Sequence, residues 1–113
     1  MSNVKNKVVL TGFVGADPVI IELPNEKRMA RVSLAVNEYY RDGTGEFVNK
    51  TQWFSLILWN KKINLIEGVV KKGTGISIEG KLSNQNYIDK NGEQRFSTEI
   101  VVYAIELMMQ SGE

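Results

Sequence analysis

Trp53-Phe54-Ser55-Leu56-Ile57-Leu58-Trp59 reads as a strand with two unlike faces. Side chains alternate across a strand, so Phe54, Leu56 and Leu58 make one apolar face suited to a core, while Trp53, Ser55, Ile57 and Trp59 share the other. Two indoles on the outward face of one strand call for a partner: a core, a subunit contact, or a ligand with flat rings. Just ahead lies Arg41-Asp42-Gly43-Thr44-Gly45-Glu46, turn material with two glycines able to take positive φ. Before it, Ala30, Val32, Leu34 and Val36 alternate with Arg31, Ser33, Ala35 and Asn37, as in a half-buried antiparallel strand. Residues 30–37 and 51–59 are therefore expected to form a hairpin.

The flanking chain extends this pattern. Residues 7–14 are β-rich and break at Gly15 and Asp17-Pro18. In residues 61–72, Ile63, Leu65, Ile66, Val69 and Val70 fall at roughly helical spacing, which predicts a short amphipathic helix stopped at Gly73. Strand returns over 75–82. Tyr87 and Ile88 lead into Asn91-Gly92, a hairpin-turn pair, and 96–107 is the return strand. Five strands with one short helix between the third and fourth is the order of an all-β OB-fold, a five-stranded Greek-key barrel. One domain over 1–113 is expected, with the barrel over about 5–107 and Met108 and Met109 as a fraying end.

Composition narrows the function. The 113 residues carry 14 Lys plus Arg against 13 Asp plus Glu, a formal charge of +1, so a polyanionic partner would have to be met by local clustering. His and Cys are absent, which removes imidazole bases, thiol nucleophiles, disulfides and His/Cys zinc sites. Gly68-Val69-Val70-Lys71-Lys72-Gly73-Thr74 imitates a phosphate loop, but Thr74 stands where the lysine belongs. Glu22 with Glu26 and Asp89 with Glu93 are carboxylate pairs in polar turns, where acids are usually solvated. No reaction and no cofactor is nominated. The expectation is a non-enzymatic cytoplasmic protein.

The aromatic and basic residues suggest a binding surface. Trp53 and Trp59 are joined by Tyr40, before the first turn, and Tyr87, before the second. Rings stack on bases without reading identity, and cations neutralise phosphates. Residues 50–72 hold Lys50, Lys61, Lys62, Lys71 and Lys72 against the single acid Glu67, and Lys7, Arg31 and Arg95 lie in other strands. Tyr39 and Phe47 read as hairpin-packing residues. A protein-interaction scaffold and an RNA binder remain open on this pattern.

The ordered segments Asn6-Lys7-Val8-Val9-Leu10-Thr11-Gly12, Gly15-Ala16-Asp17-Pro18, Val32-Ser33-Leu34-Ala35, Arg41-Asp42, Thr44-Gly45-Glu46, Thr51-Gln52-Trp53, Lys72-Gly73, Ile78-Glu79-Gly80 and Thr98-Glu99-Ile100-Val101-Val102 resemble the DNA-binding domain of bacterial single-stranded DNA-binding proteins. That resemblance implies a homotetrameric OB-fold protecting single-stranded DNA in replication, recombination and repair at the bacterial nucleoid. It implies base stacking at the positions of Tyr40, Trp53, Trp59 and Tyr87. Lys7, Arg31, Lys61, Lys62, Lys72 and Arg95 complete the expected nucleic-acid-binding set. The family's flexible linker and acidic tail, which recruit replication and repair enzymes, have no counterpart here, so a short form is expected and tail-mediated recruitment is not carried over.

Overall fold

The computed structural model describes residues 5–108. In chain order the elements are β1 (Val8–Val14), β2 (Val19–Leu23), β3 (Lys27–Arg41), β4 (Phe47–Trp59), a 3₁₀ helix (Asn60–Leu65), β5 (Gly75–Ile88) and β6 (Gln94–Leu107). The β3–β4 hairpin runs unbroken from Met29 opposite Trp59 to Arg41 opposite Phe47. The β5–β6 hairpin runs from Ile76 opposite Leu107 to Ile88 opposite Gln94, with a register shift at Glu79/Gly80. Such bulges bend a strand and sharpen its twist, as a small barrel requires.

Two short joints close these hairpins into a ring. β4 meets β6 in parallel at Leu56 with Ile100 and Ile57 with Val101. β1 pairs with β5 over Val8–Phe13 and then crosses to β3 at Phe13 with Ala35 and Val14 with Leu34. The ring β1–β5–β6–β4–β3–β1 is the OB-fold barrel, with β2 added outside β3. Val14, Val32, Leu34, Leu56, Leu58, Ile76, Ile78, Ile100 and Val102 fill it. Each such side chain contributes about 1.5–3 kcal/mol through its removal from water.

Two expectations need correction. β2 had no place in the five-strand order. It pairs only with β3 and keeps a mostly exposed pattern, so alternation marks it poorly, and it moves the helical segment to a position between the fourth and fifth strands. The 61–72 helix is instead the 3₁₀ helix Asn60–Leu65 followed by a turn. Glu67 donates to the Ile63 carbonyl and Val70 to that of Ile66, but Gly68 at φ 79° breaks the run. Ile63, Ile66 and Val70 still enter the core, whereas Leu65 and Val69 are exposed. At the expected fraying end, the Met108 amide donates to the Gly75 carbonyl at 2.9 Å. Met109 lies outside the described residues.

Candidate nucleic-acid interface

Register places the outward residues of β4 and β3 in rows: Trp53 beside Ala35, Ser55 beside Ser33, Ile57 beside Arg31, and Trp59 beside Met29. Trp53 is 62% exposed and Trp59 38%. Ile57, though on the same face, is closed off between its Arg31 and Val101 neighbours. The benzo edge of the Trp53 indole lies against Gly15, where a Cβ would fall 2.4 Å from Cζ3. Glycine leaves room for that edge. A shallow hollow beside the ring is lined by Arg31, Ser33 and Ser55.

The same side of the sheet continues across the β4–β6 joint. Alternation from the core residue Ile100 puts Glu99 and Val101 outward on β6, with Ser83 and Lys81 beside them on β5. Two steps further toward the hairpin tip is the exposed Tyr87, opposite Arg95. Trp53, Trp59 and Tyr87 therefore share one face. Tyr40 does not: it pairs with Val48 in step with Val36 and Gln52, on the reverse of the β3–β4 arm, although it too is exposed. Tyr39 and Phe47 are not packed into the hairpin as expected. Both are exposed on the Trp53 side, with the Arg41 guanidinium 4.7 Å above the Phe47 ring. Phe96, missed in the sequence, is also exposed on the β5–β6 arm. Its same-face neighbours Gln94 and Thr98, both polar, were the available sign that no core covers it.

Residues 5–108 match the single-strand binding protein family. The chain belongs to that family. A solved structure of the Plasmodium falciparum SSB in complex with ssDNA superposes at a TM-score of 0.84 with 29% identity, over 96% of this chain and 99% of that one. A deletion mutant of the single-stranded DNA binding protein from Thermus aquaticus shares the fold at a TM-score of 0.83 and 21% identity. There the match covers 95% of this chain and 52% of the other, so this chain spans about half its length.

In this family member the six candidate cations are not equivalent. Lys7 faces Glu79 at 3.2 Å, Arg31 is on Glu99, and Arg95 donates to Asp89 at 2.8 Å. Lys62 Nζ donates to the Tyr103 carbonyl. Lys61 and Lys72 have no ion pair among the described residues, and both are exposed.

Both arms end in the same loop. Asp42-Gly43-Thr44-Gly45-Glu46 and Asp89-Lys90-Asn91-Gly92-Glu93 each place glycine at positive φ in the fourth position. In each, one Asp oxygen accepts from the amides two and four residues on. Asn91-Gly92 is thus the second half of a longer turn rather than a two-residue hairpin turn. The Asp42 carboxyl is held below the ordinary carboxylate range by the Thr44 hydroxyl and loop amides, and Asp89 by Arg95 and the Glu93 amide. The acids once weighed as catalytic pairs are accounted for here: Glu22 takes Arg28, and Asp89 builds its loop. The would-be phosphate loop is occupied too, since the Lys72 amide donates to Asp17 and the Gly73 amide to the Val14 carbonyl.

Proposed function

We propose that this protein captures single-stranded DNA irrespective of sequence, as a non-enzymatic, homotetrameric cytoplasmic protein serving replication, recombination and repair. The carrying observation is that Trp53, Trp59 and Tyr87 are exposed on one side of the sheet, with Tyr39 and Phe47 further along it. Packing within this chain would bury rings that are here left open, and each stacked base contributes about 1–3 kcal/mol. Lys61, which follows Trp59 within two residues, supplies a cation for the phosphates, with Lys62 beside it and Tyr40 engaging strand that passes the reverse of the arm. The 29%-identical neighbour was solved with ssDNA, which supports the same class of ligand. Self-association is supported by β1, whose Val8–Gly12 stretch pairs with β5 on one edge and has no strand on the other among the described residues.

Tryptophan fluorescence tests this reading. Oligo(dT) is expected to quench the indoles strongly, duplex DNA of equal length weakly, and added salt to reverse the quenching. A folded protein that neither strand form quenches would return Trp53 and Trp59 to protein contacts.

A further inference from the structure

Glu99 is the single buried charged residue among the described residues, at 7% exposure, yet it sits on the outward face of the sheet. It stands on β6 one residue before the parallel joint, and its Oε2 accepts from Arg31 Nη1 at 2.5 Å. The same nitrogen reaches the Ser55 hydroxyl at 3.5 Å. The Arg31 side chain itself is 47% exposed and lines the hollow beside Trp53.

We propose that Glu99 holds Arg31 as a neutralised, fixed donor that hydrogen-bonds a base stacked on Trp53 and does not anchor a phosphate. Glu99 thereby limits how tightly the surface grips a strand. This rests on the single-strand reading above. A carboxylate buried to this degree is strongly destabilised when its partner leaves, because the charge remains uncompensated. A phosphate at the surface is screened by salt and offers the guanidinium less in return. The guanidinium accordingly stays with Glu99 when a strand arrives. Paired, the two residues carry no net charge and displace no counterions. Arg31 Nε and Nη2 make no hydrogen bond among the described residues, so they remain donors for the carbonyl and ring-nitrogen acceptors of bases.

Glu99→Gln separates these roles. The amide keeps an oxygen for Arg31 and releases a full positive charge. The expected result is tighter oligo(dT) binding at low salt and a salt slope, log K against log salt concentration, steeper by about 0.7. An unchanged slope in a folded variant overturns the proposal. Should Glu99→Gln fail to melt cooperatively, the double variant Arg31→Met/Glu99→Met removes both charges together. It should bind oligo(dT) several-fold more weakly at every salt concentration with the wild-type slope. A slope flattened by about 0.7 would instead put Arg31 on a phosphate and overturn the proposal. Wild-type protein that does not bind oligo(dT) at any salt concentration would sink the single-strand reading itself. Wild-type binding with an unaltered Glu99→Gln slope sinks this inference alone.

Discussion

Trp53 meets the Gly15 backbone through the benzo edge of its indole, and most of the side chain stays open to solvent. That geometry separates binding from folding. Removing an exposed ring deletes little buried surface, so Trp53→Ala should lower oligo(dT) affinity by about 1–3 kcal/mol and leave the thermal transition near that of wild type. Gly15→Ala probes the seat of the ring. Its methyl would lie 2.4 Å from Cζ3, and the ring has to move, because the Gly15 amide is tied to the Ser33 carbonyl at 2.9 Å. Binding should weaken in the same direction as in Trp53→Ala, with the indole emission shifted in the free protein. Affinities unchanged in both variants would mean that the strand takes another path over the sheet.

At the scale of elements, the two arms depend on their matching Asp-x-x-Gly-Glu loops. Both aspartates have carboxyl groups held below the ordinary range, Asp42 chiefly by the Thr44 hydroxyl and Asp89 chiefly by Arg95. A carboxyl lowered in the folded state stabilises fully above its unfolded value of about 3.9, and that contribution fades as pH falls through the lower folded value. Asp42→Ala/Asp89→Ala should therefore melt below wild type at neutral pH. The gap should narrow as the pH is taken from about 5 to about 2. Melting curves that keep a constant gap over that range would show that the ionised carboxylates are not what the loops require. The arms also explain what could be read from sequence. Residues 30–37 and 51–59 were legible because one face of each meets the core, which imposes period two. The remainder of β3, β4 and β5 projects past the barrel with both faces wet, and there Asn84, Gln85, Asn86, Asn49 and Lys50 carry no such pattern. Tyr40 was placed with Trp53 because both are aromatic and lie near the turn. Which face it takes depends on register, and register depends on the loop's length, settled by the Asp42 hydrogen bonds rather than by hydropathy. The 61–72 helix failed for a related reason: Ile63, Ile66 and Val70 need only single turns to reach the core, and Gly68 ends the run.

For the whole molecule, a radius of gyration of 16.5 Å exceeds the roughly 13 Å expected of a compact chain this long, in keeping with arms that extend past the barrel. A formal charge of +1 cannot draw a polyanion by itself, so on the proposed reading grip rests on many rings and, in the proposed assembly, on several copies acting together. The β1 edge, unpaired among the described residues, is where the proposed assembly would seat a second copy, because main-chain donors and acceptors there need partners and Val9 is 61% exposed beside them. Across a two-fold axis like residues approach one another, and a charge at Val9 would meet its own copy. Val9→Lys should therefore sediment as a smaller species than wild type, with a cooperative melt retained because Val9 is not in the core. Trp53 and Glu99 lie on β4 and β6, neither strand sharing the free β1 edge, so a short oligo(dT) should still quench the variant. A long one, able to engage several copies in wild type, should lose most of its affinity advantage over the short one. Equal masses for the two proteins would take the assembly away from this edge. A smaller variant that keeps the full long-strand advantage would show instead that a single copy's arms suffice to hold the strand.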